Sequence, residues 1–247
     1  MTKRIYAIAD SHGQIAMLHR ALDLIEADGR RDEEIMFLGD YVDRGPDSKA
    51  VLDLLIEGVA AGQSWCVLKG NHDRMFHRFL TSGTVKDERI SNPNYDWLHP
   101  ALGGMETLAS YGVRGGGRPV EAVLTDAQEA VPQGHLAFID GLDLMAERGP
   151  LLFVHAGIRP GIALPDQVED DLVWIREPFL SHAEPFAHLI VHGHTALQAP
   201  EHFGNRIDLD GGAGFGRPLV PVVFEGTDCF VLTDQGRKPL RPASNQR

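Results

Sequence analysis

The sequence predicts an α/β fold. Three observations predict it. Short apolar runs alternate with helically spaced apolar residues over the first eighty positions. Each short run leads straight into a polar cluster. Short runs with polar ends return after about residue 150. Strand, helix, strand, helix, strand at this spacing is the pattern of an α/β sheet.

Arg4 to Ala9 is apolar and partly β-branched, as a buried strand is. Ile15, Leu18, Leu22 and Ile25 recur at helical spacing, and Gly29 can end that helix. Ile35 to Leu38 is a second strand. Val51, Leu54, Leu55 and Val59 form a second helical face, ended near Gly62, and Trp65 to Leu68 is a third strand. Pro93, Pro100, Gly103, Gly104 and the Gly115-Gly116-Gly117 run punctuate the next segment. Helical fragments at Leu102, Met105, Leu108 and Ala109, and at Leu136, Phe138 and Ile139, make residues 81 to 150 a mostly helical insertion placed to wall a site. Leu151 to Val154, Leu189 to Val191 and Arg206 to Leu209 are further strands. Leu219 to Phe224 and Cys229 to Leu232 flank Gly226 as a hairpin, and the polar tail from 236 to 247 is expected to fray. The expected organisation is one domain over residues 1–247.

Composition narrows the function. Of 247 residues, 23 are Lys or Arg and 35 are Asp or Glu, a net charge of −12. A general DNA or RNA binder needs a basic face to meet phosphates, so nucleic acid is not the expected partner. Two cysteines, Cys66 and Cys229, make no disulfide framework, and Cys66 lies in an apolar run. No stretch approaches the roughly 18 apolar residues that cross a membrane, and Ile5 to Ala9 is too short for a signal peptide core. A cytoplasmic protein that binds no membrane is expected.

The polar clusters carry the chemistry. In open α/β sheets, ligands bind outside the carboxyl ends of the strands. Those ends carry Asp10, His12, Asp40, Asn71, His72, His155 and His194. Carboxylate, imidazole and amide oxygen suit divalent metals of intermediate hardness. Asp10 and His12 are two apart, so on extended chain both point the same way and can grip one ion. Asn71, His155 and His194 supply a second set, and Asp40 is the carboxylate to bridge them. Two ions about 3.5–4 Å apart can deprotonate a shared water to a hydroxide for in-line attack on phosphorus. Singly, Asp-x-His is a chance loop pair, Asn71 a helix cap, and His155 and His194 core histidines. Their weight comes from recurring together at strand ends. His192 is read as structural.

These motifs resemble the metallophosphoesterases of the PPP type, within the calcineurin-like superfamily. The resemblance rests on Asp10-x-His12-Gly13, on Gly39-Asp40-Tyr41-Val42-Asp43-Arg44-Gly45, on Gly70-Asn71-His72-Asp73, on His155-Ala156-Gly157 and on Gly193-His194-Thr195. It runs from residue 4 to about 225. That group holds Ser/Thr protein phosphatases and symmetrical diadenosine tetraphosphate hydrolases. Gly103 to Leu108 with Ser110-Tyr111-Gly112, and Leu172 to Glu177, look like the bacterial protein-phosphatase branch. The resemblance implies a sandwich of two mixed β-sheets flanked by helices, with a dimetal site at the strand ends. Asp10, His12 and Asp40 would hold the first metal, and Asp40, Asn71, His155 and His194 the second. The ions would be divalent or trivalent, with manganese favoured and iron or zinc suited to the same ligands. Ala196 stands where the wider superfamily often has another histidine, which the PPP type also lacks.

From the resemblance and the chemistry together, His72 is the acid for the leaving oxygen. Asp43 bonds His72 and raises its proton affinity. Arg44 and Arg176 take the phosphate oxygens, and Lys69 adds a weaker contact. The glycine run from Gly211 to Gly216 lacks G-x-G-x-x-G, since position 217 is arginine, and is a tight turn. The expected enzyme is a bacterial-type Ser/Thr protein phosphatase acting on a phosphoprotein. A symmetrical diadenosine tetraphosphate hydrolase or broader nucleotide pyrophosphatase is the alternative, with a phosphorylated small molecule or dinucleotide as substrate. A relict binding module is disfavoured because no ligand is missing.

Overall fold

The computed structural model describes residues 4–29, 33–115 and 117–242. The first three residues, residues 30–32, Gly116 and the tail beyond 242, for which fraying is expected, lie outside the described residues. The first sheet has six strands: β1 (Arg4–Ile8), β2 (Glu34–Phe37), β3 (Trp65–Val67), β9 (Val222–Glu225), β10 (Asp228–Thr233) and β11 (Gly236–Pro239), in the order β11-β10-β9-β1-β2-β3. The second has five: β4 (Met145–Arg148), β5 (Leu151–Val154), β6 (Leu189–His192), β7 (Glu201–His202) and β8 (Arg206–Asp208), in the order β4-β5-β6-β8-β7. β1, β2 and β3 are parallel neighbours, as are β5, β6 and β8, while β4, β7, β9, β10 and β11 pair antiparallel. Both sheets are therefore mixed, as the resemblance implied.

Side-chain alternation explains the sandwich. In β1, Ala7 faces the other sheet, while Tyr6 and Ile8 face the helices. In β5, Leu151 and Phe153 meet Ala7, Met36, Val191, Ile207 and Phe224 between the sheets, whereas Leu152 and Val154 pack outward with Leu172 and Phe179. Strands covered on both faces must be apolar at every position, which is why these runs carry no polar alternation. Helices α1 (Ile15–Asp28), α2 (Ser48–Ala60) and α3 (Asn71–Ser82) bury Leu18, Leu52 and Phe76 in the cluster that covers the first sheet. Asp47 caps α2 by accepting the Ala50 N–H at 3.0 Å.

The segment expected as a helical insertion carries α4 (Gly104–Ser110), α5 (Val120–Ala130) and α6 (Gln133–Asp140), then β4 at its end. α7 (Glu169–Trp174) precedes Arg176. One expectation of the fold fails within the described residues. Gly236–Pro239 does not fray but pairs with Phe230–Thr233 as an edge strand, held also by Arg237, whose guanidinium bonds Asp28 and Glu225. Polarity alone signals exposure, and an edge strand is exposed on one side.

Candidate active site

The loops after β1 and β2 are stitched together by the His12 N–H on the Asp40 carbonyl (2.9 Å) and the Gly13 N–H on the Tyr41 carbonyl (2.8 Å). The loops after β5 and β6 are joined by the Gly193 N–H on the His155 carbonyl (2.8 Å). Asp10 then links the two sheets, accepting the His194 N–H on both carboxylate oxygens at 3.1 and 3.2 Å. Gly193 permits this approach, since a Cβ there would lie 1.9 Å from Asp10 Oδ2. The expected residues Asp10, His12, Asp40, Asp43, Asn71, His72, His155 and His194 are all buried here.

Backbone strain marks the same place. The non-glycine residues with positive φ among the described residues are Asp10 (45°), His12 (44°), Asp40 (55°), Asp43 (73°), Arg44 (65°) and His194 (66°). Each such conformation costs about 1–3 kcal/mol and persists only where surrounding bonds enforce it. Asp73 is one enforcer that sequence reasoning missed, although it ends a quoted motif. Its carboxylate accepts the N–H groups of Gly70, Asp40 and Tyr41, each at 2.9 Å. It thus clamps the turn after β2 to the first turn of α3.

The ring nitrogens point to cations. A backbone carbonyl can only accept, so His12 Nδ1 carries the proton it gives to the Val42 carbonyl (2.8 Å), and His155 Nδ1 the one it gives to Leu38 (2.7 Å). Each neutral ring therefore turns an Nε2 lone pair into the site. His155 Nε2 faces Asn71 Oδ1 at 3.0 Å and Asp40 Oδ1 at 3.4 Å. Three lone-pair donors this close repel one another unless a cation lies among them. His194 Nε2 is buried with no hydrogen-bond partner. Two groups of side chains could each hold a metal ion, His12–Asp40–His72 and Asp40–His155–His194, and Asp40 belongs to both.

The carboxylates agree. Burial and mutual repulsion push the Asp10 carboxyl well above its usual range, with Asp210 and Asp40 as its acidic neighbours. Burial pushes Asp40 up to about 7, only partly offset by the bond from the His72 N–H (2.9 Å) and by Arg44. Asp210, a third buried carboxylate, was not foreseen; it followed a strand in a glycine-rich turn that showed no ligand spacing. A cluster of buried acids is stable as anions only beside positive charge. The donor set of carboxylate, imidazole and amide oxygen fits divalent metals.

His72 Nδ1 lies 2.5 Å from Asp43 Oδ2, so the expected acid and its carboxylate are paired. The rest of the surroundings act on His72 in the opposite sense to that expected of Asp43. Burial, then Arg44 and neighbouring histidines, hold its imidazole well below the usual range. Asp43 orients the ring, and burial holds its own carboxyl well above the usual range. Arg44 spans the site, with Nη1 at 2.6 Å from His12 Nε2 and Nη2 at 3.0 Å from His72 Nε2. Arg176 is exposed and feels the charges of Asp40, Arg44, Arg89 and Asp10. Glu177 does not pair with it but accepts the Ser181 hydroxyl.

Lys69 departs from expectation. Two residues past β3, its ammonium bonds the Asp140 carbonyl at the end of α6 (3.2 Å) and its backbone N–H bonds the Asp143 carbonyl (2.8 Å). His192 is structural, as expected: Nδ1–H bonds the Gly193 carbonyl and Nε2 accepts from Arg206. The Gly211–Gly216 run is a tight turn, yet it sits on the site. A Cβ at Gly214 would lie 2.6 Å from the His12 ring and 3.1 Å from the Arg44 side chain, and the exposed Phe215 ring has its centre 4.9 Å from the Arg44 guanidinium carbon.

Comparison with known proteins agrees with this geometry. The calcineurin-like phosphoesterase family matches residues 3–213. The asymmetrical bis(5'-nucleosyl)-tetraphosphatase PrpE of Geobacillus thermodenitrificans is 25% identical over 218 residues, covering 81% of this chain and 78% of that protein. Serine/threonine-protein phosphatase 1 of Salmonella typhimurium is 32% identical over 97 residues, covering 39% of this chain and 38% of that protein. The crystal structure of a cold-active protein-tyrosine phosphatase of a Shewanella species shares the fold, with a TM-score of 0.66 at 17% identity over 98% of this chain and 81% of that one. The chain belongs to the calcineurin-like phosphoesterase family.

Proposed function

We propose that this calcineurin-like phosphoesterase is a dimetal-dependent Ser/Thr protein phosphatase of bacterial type. The observation that carries the dimetal part of the reading is Asp40, whose Oδ2 lies 3.6 Å from His12 Nε2 while its Oδ1 lies 3.4 Å from His155 Nε2; the similarity to serine/threonine-protein phosphatase 1 supports the substrate class. One carboxylate between two imidazoles is what a bridging ligand requires. Asp10, His12 and Asp40 would hold one ion, and Asp40, Asn71, His155 and His194 the other, with manganese favoured and iron or zinc suited to the same donors. Bound there, two such ions supply Lewis acidity and lower the pKa of water to near neutrality.

The chain's own residues do the rest. Arg44 and Arg176 bind phosphate oxygens through forked N–H pairs. A phosphate dianion facing His72 adds the negative charge that favours its imidazolium. Nε2–H then gives its proton to the leaving oxygen, while Asp43 holds Nδ1. Neither cysteine serves as nucleophile: Cys66 lies in β3 and Cys229 in β10, and burial raises both thiols, Cys229 to about 11. No described helix is long and apolar enough to cross a membrane. Free cysteines fit a cytoplasmic site of action.

A second reading, dinucleoside polyphosphate hydrolysis, is favoured by the PrpE similarity over most of the chain and by the exposed Phe215 ring beside Arg44. The test is one parallel assay. The manganese-loaded protein is given a phosphothreonine peptide and diadenosine tetraphosphate, and products are identified. Phosphate from the peptide with little nucleotide product supports the first reading. Nucleotides as main products support the second, and their identity separates symmetrical from asymmetrical cleavage. Inactivity on both sinks the two readings together.

A further inference from the structure

Asp43 has no exposed surface, yet its carboxylate meets three donors. Oδ2 accepts His72 Nδ1–H (2.5 Å) and Trp97 Nε1–H (2.8 Å), and Oδ1 accepts the Thr107 hydroxyl (2.7 Å). The Thr107 oxygen also accepts the Asp43 N–H at 2.7 Å and meets Ser48 Oγ at 3.1 Å. A hydroxyl has one proton and two acceptor positions, and Thr107 spends all three on this corner. Thr107 therefore grips both the backbone and the side chain of a residue held at a φ of 73°.

Both supports come from the segment that sequence reasoning treated as a wall. Trp97 lies in the loop before α4 and Thr107 lies within α4. Gly104 lets the two meet, since a Cβ there would lie 2.5 Å from the Trp97 ring. Trp97 is fully buried against Phe76 and Phe79 of α3, the helix that begins with Asn71 and His72. The indole N–H is thus fixed to the same helix as the ring it serves.

We infer that Thr107 and Trp97 are positioning residues for proton donation: they fix the Asp43 carboxylate and, through it, the orientation of His72. The inference rests on the acid role proposed for His72. A carboxylate with only His72 as donor can swing about its χ angles. Three donors in fixed directions leave it one orientation, and the imidazole plane follows.

The test compares a phosphothreonine peptide, whose alkoxide leaves poorly, with p-nitrophenyl phosphate, whose phenolate needs little acid. Thr107→Val, Thr107→Ser and Trp97→Phe are made alone, and Thr107→Val and Trp97→Phe also in His72→Ala, with melting temperatures recorded. Thr107→Val and Trp97→Phe should each lower kcat on the peptide by about ten-fold and leave KM unchanged, as loss of one charged hydrogen bond would. On p-nitrophenyl phosphate the loss should stay under about two-fold, and Thr107→Ser should restore activity. In His72→Ala neither substitution should cost anything more, because its effect runs through that ring. In metal-free protein, the downfield imidazole N–H proton that His72→Ala abolishes should shift or broaden in Thr107→Val and return in Thr107→Ser. Equal losses on both substrates, additive losses in His72→Ala, or an unmoved resonance would overturn the inference. If His72→Ala itself shows no leaving-group dependence, the acid role fails first. If it does and the supports do not, only the inference fails.

Discussion

Asp40 Oδ1 lies 3.4 Å from His155 Nε2 across the gap between the two sheets, and the imidazole has already given its one proton, on Nδ1, to the Leu38 carbonyl. Burial raises the Asp40 carboxyl to about 7, against about 3.9 for an unfolded aspartate. Between those values the folded chain binds a proton that the unfolded chain does not. Stability from this group is therefore full below about pH 4 and is lost as pH rises through 7. Asn in its place never ionises. In chelator-treated protein, Asp40→Asn should be the more stable form at pH 8 by urea denaturation, with the gain closing toward pH 4. Manganese should reverse the order at pH 8, since only the carboxylate binds it well. A metal-free Asp40→Asn less stable than wild type at pH 8 would refute this.

Arg44 and a metal ion compete for one lone pair. Its Nη1 lies 2.6 Å from His12 Nε2, the only ring nitrogen of His12 free to ligate. Arg44→Ala should tighten manganese binding at the first site by about ten-fold in calorimetric titration of metal-free protein, because a fixed positive charge is gone. Turnover should nonetheless fall by about a hundred-fold, because a phosphate contact is lost. Weaker metal binding in this variant would show that Arg44 supports the site rather than competing for it.

Much of this was legible in the sequence because the strands are short and end abruptly. Six expected ligands fall at or just after strand ends, where a run such as Leu151–Val154 meets His155. Periodicity could not show what reaches those residues from elsewhere. Trp97 reads as one more core aromatic, and Thr107 sits on a helix with no polar pattern; only the packing of α4 and its preceding loop on α3 brings both to Asp43. Helix α7 is only six residues long, too short to show a helical period, and α5 buries just Val123 and Ala127 among eleven residues. Lys69 misled because its neighbours in sequence, Gly70 and Asn71, turn into the site while its own ammonium turns toward α6.

Asp73 sets the backbone on which Asp40 stands. Asp73→Ala would leave three buried N–H groups, those of Gly70, Asp40 and Tyr41, without their acceptor. The expected cost is about 3–5 kcal/mol in chemical denaturation. Asp73→Asn keeps one acceptor oxygen and should fall between. Loss under about 1 kcal/mol in Asp73→Ala would mean that water replaces the carboxylate and that the clamp is dispensable.

Asn71 and His72 are adjacent at the start of α3, yet their atoms face different partners. Asn71 Oδ1 lies 3.0 Å from His155 Nε2, within the second proposed metal set. His72 gives Nδ1 to Asp43, and its Nε2 stands 4.0 Å from Asp40 Oδ2 and 3.0 Å from Arg44. A ligand turns a lone pair to the ion, whereas an acid turns an N–H to the leaving oxygen. Asn71→Ala should therefore retain one of two manganese equivalents after desalting. His72→Ala should retain both and lose about a hundred- to a thousand-fold in turnover on a phosphothreonine peptide. Elemental analysis and the assay on the same samples decide between the roles. If His72→Ala loses an equivalent, His72 is a ligand of the His12–Asp40 group, and the proton for the leaving oxygen must come from elsewhere.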